Sequence, residues 1–320
     1  MNQPGSSEQN KSPDALTADE LTSQLQKSSR KLFWRNLLIV LLACLLALSY
    51  LPRGFEYFWP RPTINIPDSN TVVKRQTPAG VMQVSVSKAG KKYRALTVDI
   101  KNANLALYYR DENKEPFRSF DGLRERLAAK GERLVFATNA GMYNKELFPL
   151  GLHVENANVL QKMHLPKPGK NIDADTVVGN FDLPHNGIFE IRDGKAAIIE
   201  TQKLAQSAAA QDWARVRLAT QSGPMLLIDG AINPGFNENS GNLKIRSGVG
   251  IIDEKTIVFA ISDDPVSFYD FALIFKEQFN CGNALFLDGA ISKMYIYEND
   301  SDNIDESIFA GMLAITVPKN

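Results

Sequence analysis

From residue 81 onward the apolar positions come in short bursts, each closed by Gly, Asn, Asp or Pro. Bursts of this length with alternating or continuous apolar character predict strands. They fall at 81–87, 93–100, 105–109, 134–138, 151–155, 187–191, 196–199, 218–221, 225–228, 249–252, 256–261, 284–287, 294–297 and 308–317. Three stretches carry helical spacing instead. In 119–131, Phe120, Leu123 and Leu127 share a face and Gly131 supplies a stop. The stretch 201–216 is alanine-rich and ends near Trp213, and in 264–282 Phe268, Phe271, Ala272 and Phe275 form one face ahead of Gly282. Many strands with scattered helices predict a strand-rich α+β domain without a regular βαβ repeat.

One pattern occurs twice. "SGPMLLIDGAIN" begins at Ser222 and "CGNALFLDGAIS" at Cys281, so two apolar runs both end in Asp-Gly-Ala-Ile. Asp-Gly between apolar runs is a strong hairpin signal. For Asp229 it predicts strand, turn, strand. The run before Asp288, "ALFL", is apolar at every position, as in a strand buried on both faces. A carboxylate at the end of such a strand is either a second turn or a partly desolvated acid suited to proton transfer.

The N-terminal part follows a different pattern. Residues 1–30 are polar and predict a disordered cytoplasmic tail. Leu37 to Leu48 is unbroken apolar sequence, preceded by Lys27, Arg30, Lys31 and Arg35 and followed by Arg53. This predicts a signal anchor over 31–52, a single pass through the inner membrane with the C-terminal part in the periplasm or outside the cell. A cleaved signal peptide is the competing reading, although no small-x-small site follows the run. The Pro- and aromatic-rich stretch 53–78 reads as a linker near the membrane interface. The globular domain then spans 79–320, its first ordered residues falling between Thr71 and Val81.

Composition narrows the function classes. Lys plus Arg and Asp plus Glu are 36 each, so there is no basic excess to mark a nucleic-acid surface. The two cysteines, Cys44 and Cys281, are too few for a disulfide framework. His153, His164 and His185 do not pair at metal-ligand spacing, and no nucleotide-binding glycine pattern occurs, so neither metal nor cofactor is expected. The acidic stretch 298–306 lacks the ligand register of a calcium loop and reads as solvated.

Five stretches place small and polar residues where an apolar strand ends: "TNAGMYN", "PHNGIF", "QSGPML", "IRSGVG" and "LDGAIS". Each is either a turn or a point where the backbone admits a polar ligand. Arg246 is either a surface residue or a bidentate holder of phosphate or carboxylate. Ser222 lacks a nucleophile elbow, which favours a ligand hydrogen bond over a catalytic triad.

Taken in order, these stretches resemble the phosphodiester glycosidase family over residues 80–317. The resemblance rests on Asn139-Ala140-Gly141, Ser222-Gly223-Pro224, Arg246 with Gly250, and Asp288-Gly289 with Ser292. Ala140 and Ala290 stand where the family more often has glycine. "PHNGIF" and "ISDDPVSFYDFALIF" are closer to its exported bacterial branch. The resemblance implies hydrolysis of a sugar-1-phosphodiester at its glycosidic bond, with a carbohydrate phosphodiester as substrate. It implies Asp288, Arg246 and Ser222 as the catalytic group. Asn139, Gly141, Asn186, Gly223, Gly289 and Ser292 would be substrate-binding. Two other functions fit the same residues: a non-catalytic envelope module for anionic glycans, and a metal-independent phosphoesterase.

Overall fold

In the computed structural model the described residues are 71–76, 81–165, 185–287, 292–297 and 307–319, with Trp34 and Asn36 as isolated positions. The chain divides into two units between residues 65 and 66, and the strands all belong to the second, Ile66–Asn320. The expected signal anchor lies outside the described residues. Among those that are described, no helix is long and apolar enough to cross a membrane.

Among the described residues, seventeen strands form three sheets in which every ladder is antiparallel. The largest has eight strands. In order across the sheet they are β1 (Thr71–Gln76), β2 (Val81–Lys88), β3 (Lys91–Asp99), β14 (Thr256–Ser262), β13 (Ser247–Ile251), β15 (Asn283–Phe286), β11 (Met225–Ile228) and β12 (Ala231–Ile232). A five-stranded sheet runs β7 (Asn158–Gln161), β6 (His153–Glu155), β10 (Val216–Ser222), β8 (Gly187–Arg192), β9 (Lys195–Glu200). A four-stranded sheet runs β16 (Met294–Ile296), β5 (Glu132–Asn139), β17 (Met312–Pro318), β4 (Asn104–Tyr108).

Inner faces of all three sheets share one core. Leu96, Phe259 and Leu285 come from the first sheet, Phe189 and Leu218 from the second, and Leu107, Phe136 and Leu313 from the third. Each outer face is covered by its own helix. Helix α1 (Phe120–Ala129) packs Leu123 and Leu127 on Leu134 and Ala314 of the four-stranded sheet. Helix α2 (Thr201–Ala205) sets Leu204 against Val154 and Ile188. Helix α3 (Phe268–Leu273), prolonged by a π-helical turn over Ile274–Gln278, covers the eight-stranded sheet with Phe271 and Phe275. Central strands are therefore buried on both faces. In β15, Leu285 faces the shared core while Ala284 and Phe286 face α3, which explains why "ALFL" shows no alternation.

Local chemistry accounts for most boundaries. Ser119 caps α1 by accepting from the Gly122 N–H at 3.0 Å, and Gly131 follows the helix at φ +75°. Ser267 caps α3 through the Asp270 N–H. The end of that segment departs from expectation: the left-handed residue is Asn280 at φ 51°, and Gly282 is not needed there. The alanine-rich stretch is also shorter than its composition predicts. It breaks into α2 and a 3-10 turn over Ala208–Gln211, because the Ser207 hydroxyl bonds back to the Leu204 carbonyl. Strand β1 lies within the stretch read as a linker and pairs in register with β2.

Asp229 and Gly230, at φ 49° and 80°, make the expected two-residue turn between β11 and β12. The first Asp-Gly-Ala-Ile is therefore a structural hairpin. Of the second, Asp288, Gly289, Ala290 and Ile291 lie outside the described residues, as does the acidic stretch 298–306.

Candidate active site

The small-polar stretches meet where strand ends of the three sheets abut. Asn139, the last residue of β5, is 1% exposed. Its Oδ1 accepts from the Ser247 hydroxyl at 3.1 Å and from the Lys293 N–H at 3.0 Å. Ser247 and Ser292 hydroxyls lie 3.3 Å apart. The backbone continues the junction: the Leu287 N–H donates to the Ser247 carbonyl at 3.0 Å, and the Phe286 N–H donates to the Pro224 carbonyl at 3.1 Å. Ser222 is paired with Gly187 in the β10–β8 ladder, which sets Asn186 and Gly223, both buried, beside that pair. The Gly223–Pro224 peptide is cis and joins the five-stranded to the eight-stranded sheet.

Gly141 holds two elements together. Its N–H donates to Thr220 Oγ1 at 3.0 Å. A Cβ there would fall on the Gln221 carbonyl oxygen and 2.7 Å from Thr220 Oγ1. The reason for glycine at this point is thus the approach of β10 itself. The same holds for three other glycines of these stretches. A Cβ on Gly187 would stand 2.9 Å from Met225 Cγ, and one on Gly248 2.9 Å from the Leu285 carbonyl oxygen. One on Gly250 would stand 2.6 Å from Phe275 Cδ1 and 2.7 Å from Cys281 Sγ. These glycines admit neighbouring protein, where the sequence left turn and ligand approach open.

Two polar groups stand out. The Ser222 hydroxyl is fully buried and has no hydrogen-bond partner among the described residues. An unsatisfied buried hydroxyl costs about 1–3 kcal/mol, so its retention calls for an explanation such as a ligand group. Arg246, 1% exposed, lies immediately before β13. Its Nε donates to the Val266 carbonyl at 2.9 Å and its Nη2 to the Asn242 carbonyl at 2.8 Å. Its guanidinium carbon sits 3.6 Å from the Phe268 ring centroid and 5.6 Å from that of Phe286. Burial pulls its pKa down to about 10, so it remains a cation at neutral pH. No carboxylate pairs with it among the described residues. Two of the five N–H donors of an arginine are spent on carbonyls.

Arg246 and Ser247 face opposite ways, as neighbours on a strand must. Arg246 turns to the aromatic layer under α3, and Ser247 turns to Asn139 and Ser292. Ser247 is the residue that sequence reading passed over. It lay inside the quoted "IRSGVG", and the signal was a small hydroxyl at the first position of an apolar strand. The expected catalytic Asp288 and the expected Gly289 lie outside the described residues. Of the other expected residues, Ser222, Asn139, Gly141, Asn186, Gly223 and Ser292 lie at or beside this junction, whereas the Arg246 side chain turns away from it to the α3 side of the sheet.

The histidines have structural surroundings. Nε2 of buried His153 bonds Glu155 Oε1 at 2.8 Å, and its ring packs on Tyr109. His185 Nδ1 bonds Glu200 Oε1 at 2.9 Å, while the His164 backbone is held by the Gln221 amide. Among the described residues no group of three or more His, Cys, Asp or Glu is placed to hold a metal ion.

Comparison with known proteins adds the following. A family model described as phosphodiester glycosidase matches residues 132–315. Uncharacterized protein YigE of Escherichia coli (strain K12) is 33% identical over 203 residues, which is 63% of this chain and 74% of that protein. A crystal structure of a hypothetical protein from Synechocystis superposes with a TM-score of 0.50 and 14% identity, covering 78% of this chain. This chain spans 64% of that one, less than two thirds of its length. The zebrafish N-acetylglucosamine-1-phosphodiester alpha-N-acetylglucosaminidase catalytic domain, auto-inhibited by its pro-peptide, gives a TM-score of 0.45 at 14% identity, covering 77% of this chain and 81% of that one.

Proposed function

Because the chain belongs to the phosphodiester glycosidase family, we propose that it hydrolyses the glycosidic bond of a sugar-1-phosphodiester in the cell envelope, releasing free sugar and a phosphomonoester. The observation that carries this reading is Ser222: a fully buried hydroxyl with no hydrogen-bond partner among the described residues, at a strand-end junction that also holds the buried Ser247–Asn139–Ser292 network. A site of this kind suits a ligand that brings its own negative charge and several hydroxyls.

In the proposed reaction water attacks the anomeric carbon and the bond from that carbon to the phosphodiester oxygen breaks. The electron pair leaves with the phosphate, and the attacking water loses a proton. A phosphomonoester leaves readily, so stabilising charge matters more than protonating the leaving group. Arg246, a buried cation on the α3 side of β13, adds positive potential from behind the site, and the Ser222 hydroxyl, without a partner among the described residues, adds a hydrogen bond. Asn139, Asn186 and Ser292 position hydroxyls, with Gly141 and Gly223 holding the strand ends close around them. Asp288, next in sequence after Leu287, takes the water proton or stabilises the cationic sugar. The basic-flanked run Leu37–Leu48 supports the location: a single pass in the inner membrane with the catalytic domain on the far side.

The test is product identity. The purified full chain, and an Asp288→Asn variant, are incubated with sugar-1-phosphodiesters, including nucleotide sugars and teichoic-type fragments, and the products are read by mass spectrometry. Free sugar from the wild type, falling at least a hundredfold in the variant, is expected. Sugar phosphate plus alcohol would mean a phosphoesterase. Binding without any product from a folded protein would mean a glycan-binding module.

A further inference from the structure

A cleft, about 330 Å³ in volume, opens between the end of β4 and the β6–β7 hairpin, lined by none of the residues expected at the active site. This is at the small end of ligand pockets, which run roughly 300–1,000 Å³. The cleft is lined by Arg110, Lys114, Phe148, Asn158, Leu160 and Gln161, along with two acids. The Arg110 guanidinium lies between two rings, 4.6 Å from the Tyr109 centroid and 4.9 Å from that of Phe148. Its Nη2 donates to the Tyr109 hydroxyl, and its Nε is enclosed by protein with no hydrogen-bond partner among the described residues.

Both acids of the cleft are engaged elsewhere. Asp111 accepts from the Asn113 and Glu115 N–H groups at 2.9 Å and pairs with Arg126. Glu155 is bonded to His153. Neither Arg110 nor Lys114 forms an ion pair among the described residues. Two cations are thus left over beside two side-chain amides and two exposed apolar groups, with Phe148 50% and Leu160 40% exposed. Amides match adjacent hydroxyls, an exposed ring matches the C–H face of a sugar, and the cations match an acid.

The loop carrying Phe148 is also anchored. Asn144 Oδ1 accepts from the Glu146 and Phe148 N–H groups, and the Leu150 N–H returns to the Met142 carbonyl. Phe148 is therefore tied directly to the segment that begins at Asn139 in the candidate active site.

We propose that this cleft is an accessory subsite for an anionic glycan strand, whose acid is a carboxylate or a phosphate. In naming a saccharide, the inference rests on the glycosidase reading. It extends that reading to a substrate longer than one sugar, held at a point separate from the bond that is cut.

The experiment is calorimetric titration of the full chain with trigalacturonate, with a phosphorylated maltotriose and with neutral maltotriose, plus inorganic phosphate as a competitor. At least one acidic trimer should bind saturably. Phe148→Ala and Arg110→Gln should each weaken it about tenfold. Asn139→Ala and release of sugar from a small phosphodiester substrate serve as controls, and neither should track those losses. Melting temperature checks that each variant folds, and Lys114→Gln repeats the test without touching the ring stack. Which acidic trimer binds distinguishes carboxylate from phosphate. The proposal is overturned by no binding of either acidic trimer, by equal binding of the neutral one, by inorganic phosphate competing as tightly as a trimer, or by binding that the cleft variants leave unchanged. Sugar release without cleft binding would remove the subsite and leave the glycosidase reading. Cleft binding without sugar release from any phosphodiester would do the reverse.

Discussion

Ser222 separates stability from function more cleanly than any other single residue. Its hydroxyl is buried without a partner among the described residues, so removing it relieves a desolvated polar group. Ser222→Ala is expected to leave unfolding free energy unchanged or raise it by about 1 kcal/mol. The same change should raise KM for a phosphodiester substrate. Urea denaturation and steady-state kinetics on one preparation read both. A stability loss above about 1.5 kcal/mol would show a structural hydroxyl instead. Cys281 gives a prediction in pH. Burial lifts its thiol from 9.0 to about 12. Folding therefore favours the neutral thiol, and that stabilisation is full below about pH 9 and is lost as pH rises toward about 12. In a Cys44→Ser background, a thiol reagent at pH 8 should react slowly with the folded chain and fast in denaturant. Prompt labelling of the folded chain would refute this.

At the scale of elements, the contact of β13 with the helix above it is the most constrained. The π-helical turn brings Phe275 onto Gly248 and Gly250, leaving no room for a Cβ at either. Gly250→Ala should cost about 1–3 kcal/mol through overpacking. Phe275→Leu should offset part of that, giving a double-mutant coupling of about 1 kcal/mol or more by denaturant titration. Strict additivity would mean the sheet yields and the helix does not set the spacing. The two Asp-Gly sequences belong to this scale as well. The first is legible as a hairpin from its sequence because both turn residues must adopt positive φ, and Asp-Gly does so readily. The second differs in what precedes it, a strand enclosed by the shared core and α3.

For the molecule as a whole, three sheets share one core and each carries its own helical cover. Stability should be graded from that centre outward. Amides of β13, β14 and β15 should exchange slowest with deuterium. Those of β7, exposed at all four positions, and of the edge strand β1 should exchange first. Uniform protection across all strands would contradict a layered core.

The sequence alone determined the strand-rich α+β class, most strand positions, the helix face of Phe120, Leu123 and Leu127 with its stop at Gly131, and the Asp229 hairpin. Those are local matters of alternation, capping and turn chemistry, each written within a few residues. Strand β7 escaped because all its side chains are exposed and it shows no alternation, and strand β1 escaped because it lay in the stretch read as a linker. The order of five small motifs also pointed to the family. What only the tertiary structure decided is long-range. Asn139 meets Ser247 across 108 residues of chain because sheet order brings β5 to the head of β13. Three motif glycines make room for Met225, Leu285 and Phe275, groups distant in sequence. Arg246 turns from its neighbour toward an aromatic layer that α3 completes. Periodicity fixes which face a residue takes, but which partner waits on that face depends on how distant strands are ordered, and no local pattern encodes that order.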